Sequence, residues 1–306
     1  MTTPEPQARI RAWPARLVDG SALPMLAVLL ALLALWYAGA VWLNAPQVID
    51  RYERAGNTSW TVDDLVNDTL AMDRPVLPAP HQILAELDKT VLEVAPSSRR
   101  SLVYHGWVTL SSALVGFGFG TLLGIVLAVG IVHVRTLERS LMPWIIASQT
   151  VPILAIAPMI IVVLGSLGLV GTLPKAIISA YLCFFPVTIG MVKGLTSPEP
   201  LHLDLVRTYH ARTPQIFWKL RWPASVHFLF ASLKVAVALA VVGAIVGELP
   251  TGAQAGLGAR LLTGSYYGQT VQIWAALVVA ATVAGLSVAA IGLVERVTLL
   301  RMGGQP

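Results

Sequence analysis

Residues 201–223, LHLDLVRTYHARTPQIFWKLRWP, form the longest polar interruption in the strongly apolar last two thirds of a 306-residue chain. They carry Asp204, Arg207, Arg212, Lys219 and Arg221, while Leu205, Tyr209, Ile216, Phe217 and Leu220 recur at mostly helical spacing. The pattern predicts two short amphipathic helices meeting near Thr213 and Pro214, where proline breaks the ladder of helical hydrogen bonds. Such a segment lies on a surface and does not cross a bilayer. Everything around it reads as membrane.

The chain is 56% hydrophobic and only 12% charged, against about 25% charged for soluble domains, and its mean hydropathy is +0.71. These values place it among integral membrane proteins. A single cysteine, Cys183 in the apolar run AYLCFFPV, excludes a disulfide framework and any multi-cysteine metal site. It reads as a small buried hydrophobe. The net charge of +5 comes from basic residues scattered among loops, without the basic patch on a soluble domain that binding nucleic acid requires.

Outward from the central stretch, the expected fold is all-α and polytopic, with six spans and one cytoplasmic loop. An N-terminal tail, 1–22, precedes a charge-free run at 23–43, long enough to cross ~30 Å of hydrocarbon. A signal peptide cleaved after Ala38-Gly39-Ala40 competes, but the run continues through Val41-Trp42-Leu43, which favours an uncleaved span. An external polar segment, 44–104, follows, with nine acidic and six basic residues and an amphipathic helix over 81–93. Its portion 44–74 reads only as an external insert. The core, 105–295, holds five spans: a charge-free run at 106–132, then 141–164, 172–193, 225–247 and 271–294. Residues 194–224 are the loop, 248–270 a Gly-rich connection and 296–306 a tail. Pro152, Pro158 and Pro186 fall inside spans, where neighbours satisfy the freed carbonyls. In the second span Ser112, Gly116, Gly120, Gly124 and Ala128 stand four apart, a ladder that lets another helix approach backbone to backbone. The ladder Ala276, Ala280, Ala284 of the sixth span offers packing to another copy.

Basic residues orient the spans, because Lys and Arg favour cytoplasmic loops. With the N-terminus inside, Arg9, Arg11, Arg16, Arg135, Arg139, Lys193, Arg207, Arg212, Lys219, Arg221, Arg296 and Arg301 are all cytoplasmic, and both termini and the 201–223 loop lie on that side.

Within the loop, Asp204-Leu205-Val206-Arg207-Thr208-Tyr209-His210-Ala211 continues through Gln215 to Leu220 and ends at Trp222-Pro223. This resembles the cytoplasmic loop of inner-membrane permease subunits of ABC importers, which reads roughly E-A-A, three residues, G, then about nine residues to an apolar-x-L-P ending. Asp204 stands for the Glu, Leu205 and Val206 for the two Ala, and His210 for the Gly, which would permit a left-handed backbone that His adopts only at a cost. The resemblance runs from about Leu77 to Val297 and is closest to the nitrate, taurine and sulfonate branch, with relatives handling pyrimidine vitamin precursors and riboflavin. It implies that Asp204, Arg207, Thr208, Tyr209, His210, Ala211 and Pro223 form a coupling helix that docks on a separate ATPase subunit. It further implies a second permease subunit, identical or similar, an extracytoplasmic substrate-binding protein, and residence in a bacterial inner membrane.

No GxxxxGK[ST], HExxH or GxSxG occurs, so the chain has no P-loop of its own, and no catalytic residue, metal ligand or cofactor site is expected. Polar residues in the spans are the candidates for the pathway: Gln149, Thr150, Lys234, Glu248 and Gln272. Each could equally bond a neighbouring helix. Lys234, ~15 Å into the fifth span by helical rise, either reaches back to the cytoplasm or faces the bundle interior. Lys175 is expected at the outer interface. Glu248 is either a polar residue at an outer gate or a solvated loop acid. A secondary carrier working without an ATPase is the alternative function, although such carriers usually place carboxylates near midplane and these spans have no Asp and Glu only at their ends.

Overall fold

The computed structural model describes residues 22–250 and 253–302. The sequence readings of the tail 1–21, with Arg9, Arg11 and Arg16, and of residues 303–306 lie outside the described residues. Among those described every regular element is a helix. Two compact units are formed, residues 1–86 and 87–306.

In the first unit α1 spans Ala22–Arg54, about 50 Å of helix, so it continues eleven residues beyond the expected end at Leu43. Its first turns leave Leu26, Leu29, Leu30 and Leu33 exposed, as lipid-facing residues are. Further on, Ala40, Asn44, Val48 and Tyr52 make a buried stripe at a spacing of four. Within the insert, Trp60, Leu65 and Met72 pack on Val48 and Tyr52. Helix α2, Val62–Leu70, starts from a Thr61/Asp64 capping box, whose hydrogen bonds hold the Asp64 carboxyl below its ordinary range. Tyr52 Oη donates to Asp68 Oδ2 at 2.6 Å. Asn44 fixes the returning segment: its Oδ1 accepts from the N–H of Val76 at 2.7 Å and its Nδ2 donates to Leu77 O at 2.9 Å. Helix α3, Pro80–Leu87, follows, and 88–93 widens into a π-helical turn.

The second unit is organised around α7, Thr172–Leu195, which lies between α4, Leu102–His133, and α10, Trp222–Glu248. Glycine sets both approaches. Cβ atoms built at Gly120 and Gly124 of α4 would stand 2.6 Å from Cys183 Cβ and 2.8 Å from Val187 Cβ, and one at Gly116 would meet Ala176 O and Ser179 Cβ. On the other side Gly190 faces Ser232, and Gly243 of α10 faces Ser179. Side-chain hydrogen bonds seal the second contact, Ser179 Oγ to Ala240 O at 3.0 Å and the Cys183 thiol to Ala236 O at 3.1 Å. Ser112, Gly116, Gly120, Gly124 and Ala128 are all buried.

The third span expected at 141–164 is sharply bent. Helices α5, Arg135–Ser148, and α6, Ile153–Ser166, meet at 100° across residues 149–152. Pro152 has no N–H to give Ser148 O, its partner four residues back. Tyr181 Oη of α7 donates to that carbonyl instead, at 2.6 Å. Pro158 and Pro186 remain inside α6 and α7. Among the described residues five helices are therefore long and apolar enough to cross a membrane, six if the bent pair counts as one span. Two other expectations change. The Gly-rich connection holds a helix, α11, Leu257–Tyr266, and the last helix, α12, Thr270–Arg301, absorbs most of the expected tail 296–306.

Candidate functional site

In the loop that opened the reading, Pro200–Thr208 is a helix, α8, and Thr213–Ile216 a second short one, α9. The second is not separate from the membrane helix, as the sequence suggested. It passes through a π-helical turn, Phe217–Arg221, straight into α10. The wide turn has a local cause. Pro223 cannot donate to Lys219 O, and the Trp222 N–H reaches back five residues to Phe217 O.

His210 decides how the first helix ends. Its φ is +54°, the one left-handed non-glycine backbone among the described residues. The His210 N–H bonds Arg207 O at 2.8 Å and the Ala211 N–H bonds Val206 O at 3.4 Å, the paired bonds of a Schellman C-cap. The turn that glycine would favour is thus made with histidine, at a cost of about 1–2 kcal/mol. Asp204 pairs with Arg207 at 3.2 Å, both about two thirds exposed, so the pair contributes little to the fold. Leu201, Leu205 and Tyr209, four apart, form an uncovered stripe, 75%, 54% and 78% exposed.

At the opposite end of α10 lies a buried polar cluster. Glu248 is fully buried, which excludes a solvated loop acid. Thr109 Oγ1 lies 3.0 Å from both carboxylate oxygens, the Gly258 N–H donates to Oε2 at 2.8 Å, and Lys175 Nζ stands 3.6 Å from Oε1. Lys175 is correspondingly turned inward and buried, not snorkelling as expected, and also donates to Ala255 O at 3.4 Å. His105 Nδ1 accepts from the Gly256 N–H at 2.9 Å, so the proton sits on Nε2 and is given to Arg99 O at 2.9 Å. The Leu257 N–H closes the cluster on Thr109 Oγ1 at 2.8 Å. Gly256, at φ +125°, has no alternative residue, since a Cβ there would strike the Glu248 carboxyl group. One acid thereby pins the connection after α10 onto α4 and α7. Sequence reasoning missed Thr109, His105, Gly256 and Gly258. The available signal was a His and a Thr four apart at the start of an otherwise apolar span.

The remaining candidates lie apart from this cluster. Gln149 and Thr150 sit exposed at the α5/α6 bend, with the Thr150 hydroxyl bonded to Ala147 O. Gln272 is half-buried in the first turn of α12. Lys234 forms an ion pair with Glu295, joining α10 to α12.

Comparison with known proteins then decides the family. A family model described as "binding-protein-dependent transport system inner membrane component" matches residues 120–298, which include the bend, the loop and Glu248 with Lys175 and Gly258, while Thr109 and His105 lie before it. The chain belongs to this family. It is an ABC importer permease, an all-α polytopic membrane protein. The permease is 32% identical over 183 residues to the formylaminopyrimidine transport permease protein ThiX of Halalkalibacterium halodurans, covering 60% of this chain and 68% of that one. It is 31% identical over 192 residues to the riboflavin transport system permease protein RibX of Chloroflexus aurantiacus, covering 63% and 70%. To a Bacillus subtilis protein named for aliphatic sulfonates transport, SsuC, it is 25% identical over 221 residues, 72% and 76% of the two chains. Within the permease, the loop and the buried cluster sit at the two ends of one helix.

Proposed function

We propose that this permease carries a small polar or anionic solute, such as a sulfonate, nitrate, a pyrimidine or a vitamin precursor, from an extracytoplasmic binding protein across a bacterial inner membrane by alternating access. An ATPase subunit binds the loop at 201–223, and a second permease subunit, identical or similar, completes the pathway. Asp204, Arg207, Thr208, Tyr209, His210, Ala211 and Pro223 form the coupling surface. The N- and C-termini lie in the cytoplasm with that loop. Arg135, Arg139, Lys193 and the loop cations support this orientation.

One observation carries the reading. The matched region contains an exposed helix, ended by a left-handed turn where the family has Gly, whose connection enters the membrane helix Thr213–Glu248 without a break. A displacement of Thr213–Arg221 would be carried into α10, whose far end holds Glu248. The secondary-carrier alternative has less support, because the two carboxylates of α10 and α12, Glu248 and Glu295, are each held by a lysine. The test is solute uptake by the purified permease in vesicles, with and without its ATPase subunit and binding protein. Uptake is expected only in the complete system with ATP. Uptake by the permease alone on an ion gradient would refute it.

A further inference from the structure

Beside the Glu248 cluster is a cavity of about 390 Å³ whose polar lining includes Arg99, Tyr104, Thr172, Lys175 and Gln254. This volume suits a small solute. Among the described residues the lining holds two cations and no acid. Glu248 is not among the lining residues and is already engaged by Thr109, Gly258 and Lys175. The Lys175 ammonium has three protons. Its two contacts, 3.4 Å to Ala255 O and 3.6 Å to Glu248, are both long, and its side chain is only 9% exposed. A buried ammonium held this loosely retains donor capacity toward the cavity. The wall also includes the start of α7, where Gly171 at the N-cap supplies no side chain to the N–H groups of Thr172 and Leu173, and such helix-start groups favour an anion. Arg99 also lines the cavity, and its backbone carbonyl is held by His105 Nε2 and Arg260.

From this we infer that the cavity receives the oxyanion group of the transported solute, a sulfonate, carboxylate or phosphate, at the end of the permease opposite the coupling loop. The assignment of the anion to a transported solute rests on the importer reading, whereas the binding site itself does not. Lys175 and Arg99 hold the charge, Thr172 and the α7 N-terminus supply oriented donors, and the Glu248 cluster keeps Lys175 in place. A site of this composition admits a neutral analogue weakly and excludes an amine.

The test is equilibrium binding of radiolabelled sulfate to the purified permease in neutral detergent, without ATPase subunit or binding protein. Saturable binding is expected that methanesulfonate competes for and methylammonium does not. Arg99→Glu should weaken it by about tenfold or more, as expected for losing a charge-assisted contact, while Arg99→Lys retains most of it. Arg135→Glu, at the start of α5, should leave it unchanged. Absence of saturable binding, or wild-type affinity in Arg99→Glu, would overturn the site. Displacement of sulfate by phosphatidylglycerol micelles but not by methanesulfonate would assign the pocket to a lipid headgroup and overturn it equally. ATP-driven uptake, measured separately, distinguishes the two readings: an active importer that binds no sulfate loses only this site.

Discussion

Gly120→Ala is the sharpest perturbation of the packing on which the membrane unit depends. A Cβ there would lie 2.6 Å from Cys183 Cβ, 2.7 Å from Ala180 O and 3.1 Å from Ala180 Cα, whereas ordinary contact begins at 3.4 Å. The shortfall is about 0.8 Å, and two of the three obstacles are backbone atoms of α7, so rotamer changes cannot relieve it. Helices α4 and α7 must part, which weakens the neighbouring contacts at Gly116 and Gly124. Overpacking of this kind costs about 1–3 kcal/mol. Gly118 is the internal control, since a Cβ on it meets nothing within 4 Å. Alanine there should be neutral or stabilising by up to ~1 kcal/mol through helix propensity. The assay is thermal unfolding of each variant in one detergent, read as the change in apparent Tm at a fixed scan rate, because membrane proteins often unfold irreversibly. Gly120→Ala should melt well below wild type and Gly118→Ala at or above it. Equal melting of the two would refute the close approach of α4 to α7.

His210→Gly should raise stability by roughly 0.5–1 kcal/mol, the left-handed strain less the added chain entropy, and leave ATP-driven uptake intact; destabilisation in a thermal melt would mean that the imidazole itself is needed. Glu248→Ala strands the Lys175 charge and the Gly258 N–H in a buried site, and should cost about 3–5 kcal/mol, with Glu248→Gln milder; wild-type melting of Glu248→Ala would contradict the clamp. Single cysteines at Ser59 and Thr213, in a Cys183→Ala background, should react with an impermeant maleimide from opposite sides of the membrane, and labelling of both from outside would refute the orientation.

Much of the fold was legible because the bilayer restricts the choices. Long charge-free runs must be helices, and the spacing of Gly116, Gly120 and Gly124 identifies a face that admits a backbone. Less legible were features created by partners distant in sequence. The bend at 149–152 depends on Tyr181 replacing the hydrogen bond that Pro152 removes, and proline alone did not distinguish it from the unbroken helices at Pro158 and Pro186. Glu248 was legible as a polar residue at a span end. Its burial depends on Thr109, 139 positions earlier, and on two glycines that make room for it. The insert at 44–74 escaped because its ties to α1 are single side chains, Asn44 and Tyr52, which leave no periodic signal. At His210 the family resemblance located a turn that the residue type disfavours, and the backbone adopts it nonetheless.

The coupling role proposed for the 201–223 loop is tested most directly by Asp204→Lys in the reconstituted complex of permease, ATPase subunit and binding protein. The Asp204–Arg207 pair is exposed, so its loss should change stability by no more than about 1 kcal/mol, and the variant should insert at normal abundance. Solute-stimulated ATP hydrolysis and uptake are predicted to fall together to background, with co-purification of the ATPase subunit recording whether docking is lost as well. Coupled transport at the wild-type rate would contradict the account, because the loop would then not be the element through which hydrolysis moves the membrane helices.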